Sequence, residues 1–378
     1  MKKELTVIQV LPSLVSGGVE KGTLEVAKFL VEKGHKSIVI SGGGRMVDQL
    51  IREGSNHIQW PIGKKSLFTI TYLVCLIRLM QKTNVDIIHA RSRLPAWIVF
   101  IALKLISKKK RPHFITTVHG FNSVSLYSSI MTKGDRVIVV SNAIKNFILK
   151  HYNFDKNKII LNYRGVDTMD CDRKKLLNKQ WLMRWKKEYP ITHNKIILSL
   201  PYRITRAKGH EDFLNLLARL KKDNLAVHGL IVGDEKQGNT GYKRSLQKKI
   251  NALNLNNDIT FTGYRKDVKS IMAISNIVYS LSIQPESFGR TIIESIKIKT
   301  PVLGYDHGGV GEQLKLIFPE GLVTFKDQEE LYQKTKTMIK RKPRIKDTKL
   351  FDLKSMTGNT LKIYTDLTSQ SEVTENLF

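Results

Sequence analysis

The sequence predicts an α/β protein made of two doubly wound parallel-sheet halves facing each other across a cleft. Short β-branched, apolar runs alternate with stretches of helical spacing along nearly the whole chain, which is the rhythm of βαβ units. Those runs end again and again in loops holding Gly, His, Arg or Glu, where open α/β sheets place ligand groups. The rhythm stops once, at a basic segment ending in Pro190, and then restarts. With 378 residues, 41% of them apolar and 25% charged, the chain is long for one core and comfortable for two. The expected division is residues 1–190, residues 191–350, a helix over 351–367 returning to the first half, and a polar, disordered tail over 368–378.

In the first half, residues 5–11 read as a strand. A signal peptide fits them poorly, because the run is short, holds Thr6 and Gln9, and meets Pro12 without a small-residue cleavage site. Gly17 and Gly18 follow, where bare backbone can approach a ligand; the pattern is not G-x-G-x-x-G, so dinucleotide binding has no support. The next helix puts Leu24, Val26, Ala27, Leu30 and Val31 on one face and stops at Gly34, before a strand over 37–41. Residues 66–83 read as a helix and 86–89 as a strand. The helix over 97–106 is apolar nearly all round and runs into Lys108-Lys109-Lys110-Arg111. It is too short for a bilayer, which takes about 20 residues. It is either a buried flank of the sheet or an apolar face lying with its basic cluster on anionic lipid. Strand 114–118 ends at His119-Gly120, strand 136–140 leads to Ser141 as a helix cap, and 159–163 with Arg164-Gly165-Val166-Asp167 closes the half. Over residues 173–187 Arg and Lys alternate with Leu176, Leu177, Trp181, Leu182 and Trp185, a basic amphipathic helix that Pro190 breaks.

The second half restarts with strand 196–200, the loop Arg203-x4-Lys208-Gly209 and a helix from Glu211. Strand 227–232 ends in Gly233-Asp234, and strand 259–262 in Gly263-Tyr264-Arg265. Strand 277–281 then leads through Gln284-Pro285-Glu286-Ser287-Phe288-Gly289-Arg290 into a helix marked by Ile292, Ile293 and Ile296 and ended by Thr300-Pro301. Glu286 therefore sits on the strand-to-helix loop and Glu294 inside the helix. Gly289 marks the helix opening, where free amides make an anion site. Eight helical positions span at most about 12 Å, room for a ligand with a sugar, a diphosphate and a ribose. A strand over 302–304 precedes His307-Gly308-Gly309, and helices over 329–340 and 356–367 follow.

The net charge of +30 implies an anionic partner, which is nucleic acid, a membrane surface or a phosphorylated substrate. Two cysteines, Cys75 and Cys171, make neither a disulfide framework nor a metal spacing, and a reducing compartment fits best.

Taken together the pieces resemble the retaining GT4-type glycosyltransferases over nearly the whole chain. They are Ser16-Gly17-Gly18-Val19-Glu20, His119-Gly120, Arg164-Gly165-Val166-Asp167, Arg203-x4-Lys208-Gly209, Phe261-Thr262-Gly263, Glu286-x7-Glu294, and Pro301-Val302 with His307-Gly308-Gly309. The resemblance implies a GT-B fold, with the acceptor on the N-terminal half and the donor on the C-terminal one. It implies no metal and no cofactor, the nucleotide-sugar donor being a substrate. Carried over, His119, Glu286, Arg203 and Lys208 form the catalytic set. Arg203 and Lys208 hold the diphosphate, Glu286 contacts the transferred sugar, and His119 bonds that sugar near its reacting carbon. The substrate-binding set is Gly17, Gly18, Tyr264, Arg265, Ser287, Phe288, Gly289, Arg290 and Glu294. In it Glu294 meets the ribose, Gly18 and Gly289 offer backbone, and Tyr264 and Arg265 lie near the base. The family usually has Asp where this chain has Asn276, which puts a helix or strand-end bond in question.

Arg91-Ser92-Arg93-Leu94-Pro95-Ala96-Trp97 and the basic first half resemble bacterial enzymes that glycosylate lipopolysaccharide core or lipid-linked acceptors. That likeness implies a cytoplasmic enzyme, peripheral at the inner face of the membrane, taking GDP-mannose or, close behind, a UDP-sugar. Two readings from other classes stay open. A GT-B-fold sugar-nucleotide epimerase would share the donor clamp without an acceptor surface. A nucleic-acid-binding protein would explain the charge but not the acidic pair, and no zinc finger, RNP-like or helix-turn-helix pattern is present.

Overall fold

The computed structural model describes residues 4–15, 17–64, 66–235 and 241–375. Residues 1–3, Ser16 of the glycine loop and residues 376–378 of the expected tail lie outside the described residues. The chain divides into two compact units, one joining Met1–Gly165 to Leu353–Phe378 and the other being Val166–Asp352.

The first unit holds seven parallel strands, β1 (Thr6–Val10), β2 (Lys36–Ser41), β3 (Asn56–Gln59), β4 (Ile87–Ala90), β5 (His113–Val118), β6 (Arg136–Val139) and β7 (Ile159–Leu161), in the order β3-β2-β1-β4-β5-β6-β7. The second holds β8 (Ile196–Leu200), β9 (Val227–Val232), β10 (Ile259–Gly263), β11 (Ile277–Ser280), β12 (Val302–Tyr305) and β13 (Leu322–Val323), in the order β10-β9-β8-β11-β12-β13. Every residue of β1, β4, β9, β11 and β12 is buried, as strands covered on both faces must be. In each sheet the strand order turns back beside the unit's first strand, between β1 and β4 and between β8 and β11. Open α/β sheets bind ligands outside the carboxyl ends of the strands at such a reversal.

Elements that the periodicity did not reveal complete the layers. They include β3, β13 and the helices Val47–Arg52, Gly241–Ala252, Val268–Ile274 and Gly308–Ile317. The C-terminal helix runs over Leu353–Glu375 and lays Met356, Ile363, Tyr364 and Leu367 against Leu5, Val7, Ile87, Ile115 and Ile138. The expected tail from 368 is thus helical as far as Glu375. Once a packed segment has nucleated a helix, each added residue gains a hydrogen bond at little further cost.

The boundary expected at residue 190 falls instead after Gly165. The segment over 173–187 is two helices, Arg173–Leu176 and Lys179–Glu188, the second capped by Asn178 Oδ1 accepting from the Trp181 amide (3.0 Å). Its apolar face is not free to meet lipid. Trp181 and Trp185 stack at 5.3 Å and are buried against Ile197, Leu230, Val232 and Ile271 of the second unit. Trp181 Nε1 also donates to Asp267 (2.7 Å). The bond left in question by Asn276 is made, because its Oδ1 accepts from the Ile197 amide at 2.8 Å.

Replacing a buried Trp by Ala costs about 3–5 kcal/mol. Trp185→Ala should lower the chain's unfolding free energy by that amount in urea titration, and a loss under about 1 kcal/mol would place the segment outside the core.

Candidate active site

At the reversal in the first unit, the ends of β1, β4 and β5 line a cavity of about 320 Å³. Leu11 and Pro12 come from β1, Arg91 to Arg93 from β4, and Thr117, His119, Gly120 and Asn122 from β5; Val19, Glu20 and Met131 complete it. Two guanidinium groups support this floor. Arg91, 3% exposed, donates Nε (2.8 Å) and a terminal nitrogen to Gln9 Oε1 and meets the Tyr364 hydroxyl. Gln9 in turn donates Nε2 to the Thr23 carbonyl at 3.2 Å. His89 lies alongside, its ring nitrogens satisfied by Tyr364 (2.7 Å) and Thr117 (2.6 Å).

Arg164, 8% exposed, sits on the turn after β7 and donates to His119 Nδ1 at 2.7 Å. A Cβ on Gly22 would lie 2.4 Å from that guanidinium, so the first helix leaves room for it only because position 22 is Gly. An arginine can only donate. Nδ1 of His119 is therefore the acceptor, and the neutral ring carries its proton on Nε2. That nitrogen is buried and has no partner among the described residues. Burial holds the His119 pKa well below the usual 6.5, and the charges of Arg164 and Arg91 push it the same way. The ring is thus a fixed, neutral N–H donor.

At the reversal in the second unit, the loop after β11 carries Glu286. Its Oε1 accepts from Lys208 Nζ (2.9 Å) and from the Ser282 hydroxyl. Lys208 Nζ also lies 5.0 Å from the centre of the Tyr202 ring. Tyr202 bonds Ser280 (2.7 Å), and its pKa is raised, first by burial and then by Glu286. Backbone holds this arrangement. Gly209, at φ +70°, turns the Lys208 loop where a Cβ would lie 2.0 Å from the Leu281 carbonyl oxygen. Gly308, at φ +61°, packs where a Cβ would lie 2.6 Å from the Glu286 carbonyl oxygen, and the Gly309 amide donates to that oxygen at 2.7 Å. The His307-Gly308-Gly309 turn is therefore a brace for the Glu286 loop.

Gly289 caps the helix Arg290–Lys297, in whose second turn Glu294 is half-buried. Arg203 is exposed and has no hydrogen bond or ion pair among the described residues. Ser287 is half-buried on the loop, and Arg290 is the first residue of the helix. Two further residues of the expected set have partners within the unit. Phe288 is buried with its ring 5.6 Å from that of Phe351, so its side chain packs the loop. Arg265 is committed to Asp267 (2.9 and 2.8 Å) and Glu188 (2.6 Å), while Tyr264 beside it is exposed. In the first unit Gly17 precedes the helix Gly18–Glu32, and a Cβ on Gly18 would meet nothing within 4 Å. Among the described residues no group of three His, Cys, Asp or Glu side chains could hold a metal ion.

The chain matches the family described as Glycosyltransferase Family 4 over residues 16–170 and Glycosyl transferases group 1 over residues 183–349. The crystal structure of a glycosyltransferase from Rickettsia africae ESF-5 is 33% identical, with a TM-score of 0.85, covering 97% of this chain and 99% of that one. The chain belongs to these glycosyltransferases. Its two parallel-sheet units are the Rossmann-like domains of the GT-B fold. N-acetyl-alpha-D-glucosaminyl L-malate synthase of Bacillus anthracis is 24% identical over 320 residues, 80% of this chain and 79% of its own. The fold of Anabaena HepE in complex with UDP-glucose matches with a TM-score of 0.74 at 19% identity over 99% of each chain. Membership decides for glycosyl transfer over the epimerase and nucleic-acid readings.

Gln9, His89 and Tyr364 were not singled out by sequence, and Arg164 entered only within a motif. Gln9 was the available signal, an amide in the middle of an otherwise apolar strand, since a buried polar side chain needs a partner.

With histidine ¹⁵N-labelled, His119 of the wild type should show a protonated Nε2 and a bare Nδ1 from neutral pH down to well below 6.5. Arg164→Met removes a cation that opposes protonation, so the ring should take up its proton at higher pH and its neutral form should mix tautomers. Unchanged ¹⁵N shifts would refute the assignment.

Proposed function

We propose that this glycosyltransferase moves a hexose from a nucleoside diphosphate sugar to a glycan or lipid-linked acceptor with retention of anomeric configuration, in lipopolysaccharide or other envelope polysaccharide synthesis. The observation that carries the reading is the Lys208–Glu286 pair on the reversal loops of the second unit, with the exposed Arg203 on the same loop as Lys208. As the glycosidic bond breaks, charge grows on the leaving diphosphate. Cations already in place lower that barrier without reorganisation. Lys208 and Arg203 supply them, and the amides opening the helix Arg290–Lys297 add their partial charge. Glu286 accepts from hydroxyls of the transferred sugar, and Glu294 from a ribose hydroxyl. The Nε2–H of His119 is a donor for a sugar hydroxyl. A UDP-sugar is favoured over GDP-mannose as donor, by the ligand named for the Anabaena protein. With the diphosphate charge met by side chains and amides, turnover needs no divalent cation.

An anionic membrane as partner now rests on the first unit alone. The helix Arg93–Lys104 leaves Ile101 exposed and is followed by Leu105, 65% exposed, and by Lys108–Lys110. Beyond its other end stand Val124 and Leu126, the latter 88% exposed, next to Tyr127, whose carbonyl accepts from Trp97. Each Lys or Arg near an anionic surface contributes about 1 kcal/mol. Among the described residues no helix is long and apolar enough to cross a membrane.

Two experiments test these assignments. Glu286→Gln and Lys208→Ala should each cut sugar transfer by 100-fold or more with unchanged melting curves, and EDTA should leave wild-type turnover as it was. Full activity in either variant, or rescue of an EDTA-inactivated enzyme by Mg²⁺ or Mn²⁺, would show the clamp to be misassigned. The protein should also sediment with anionic but not neutral vesicles, lose that binding at high salt, and lose most of it in Leu105→Glu. Equal sedimentation with both vesicle types would remove the membrane.

A further inference from the structure

The ionisable side chains around the first unit's cavity are mostly donors, and one of them, Arg91, is a cation only 3% exposed. Arg91 offers five N–H groups, and its hydrogen-bond partners are neutral, the Gln9 amide oxygen and the Tyr364 hydroxyl, while the Glu25 carboxylate favours its charge from farther off. It forms no ion pair among the described residues. A buried guanidinium keeps its charge, and a buried charge with no ion-pair partner in contact is costly. Arg93 lines the same cavity, held by bonds from its guanidinium to Ser123 (3.2 Å) and Ser128 (3.0 Å) and by the Tyr127 ring at 5.3 Å. Against these donors the lining has one carboxylate, Glu20. A ligand offering only hydroxyl groups would leave Arg91 without an ion-pair partner in contact, whereas an anion would supply one and accept from Arg93 as well.

We propose that this cavity binds the sugar acceptor through an anionic group, a phosphate or a carboxylate, which Arg91 and Arg93 neutralise. That the occupant is an acceptor rests on the transferase reading above. That it is an anion rests on the cavity's own donors. The chemistry places the enzyme after a reaction that installs a phosphate or carboxylate on the molecule to be glycosylated.

Calorimetry on the full chain at constant ionic strength tests this, with glucose 6-phosphate, succinate and glucose as probes, each with and without UDP. At least one anion should bind where glucose at the same concentration does not, and it should bind equally well with UDP present. A stronger glucose 6-phosphate signal would identify a phosphorylated acceptor, and a stronger succinate signal a carboxylated one. Arg93→Gln should weaken the anion at least tenfold and leave UDP binding unaltered, and Lys208→Ala should do the reverse. Arg91→Lys, checked for folding by circular dichroism, keeps the charge but loses the fork, and should weaken the anion as well. Glucose binding as tightly as the anions, or an Arg93→Gln variant like the wild type, would overturn the proposal. So would displacement of the anion by UDP, which would assign the site to the donor's diphosphate. Anion binding in a protein that binds no nucleotide would uphold the anion site and refute the transferase reading.

Discussion

Two guanidinium groups, buried in the first unit and unable to lose their protons, set the terms for the polar residues around them. Arg91 reaches across to β1 through Gln9 and to the C-terminal helix through Tyr364. Arg164 joins the turn after β7 to His119 at the end of β5 and lies against Met356 of that same helix. Each demands acceptors, and the acceptors it finds are fixed by it: the Gln9 amide turns its oxygen inward, and the His119 ring turns its bare nitrogen. What remains around the cavity is chiefly donors, with Glu20 the one carboxylate in its lining. The pocket's chemistry is thus a by-product of how side-chain acceptors solvate two buried charges.

The C-terminal helix is therefore more than a cover. Its apolar side closes the first unit's core with Met356, Ile363, Tyr364 and Leu367, and its one tyrosine hydroxyl sits between His89 and Arg91. The C-terminal helix completes a polar network begun by the first strand, so this network closes through contacts of very long sequence separation.

The second unit solves a different problem. Its Lys208–Glu286 pair is only partly buried, and ion pairs of that kind contribute little to stability. The loop does not rely on it. Backbone bonds from Gly309 and close glycine packing at positions 209 and 308 hold Glu286 in place. Lys208 can then exchange its carboxylate for a phosphate without loosening the loop, which is the freedom a ligand clamp needs.

Much of this was legible in the chain itself. The βαβ rhythm placed β1, β8, β9 and β11, and the Glu286 loop with its helix, because buried parallel strands and amphipathic helices leave periodicities of their own. The positions of His119, Lys208 and Glu286 at strand ends followed from the same pattern. The basic segment over 173–187 was misjudged, since periodicity reports that a helix has an apolar face and not what covers it; Trp181 and Trp185 meet their partners only once β8 and β9 are in place. The side-chain partners of Phe288 and Arg265 were not legible for a related reason. Whether a loop side chain faces a ligand or its own unit depends on neighbours far along the chain, here Phe351 and Glu188. Local spacing determined the strands, the helices and the loops that carry chemistry. Burial and charge pairing, which need the chain ends and distant strands brought together, decided that His119 is a neutral donor and that Arg91 is a buried cation.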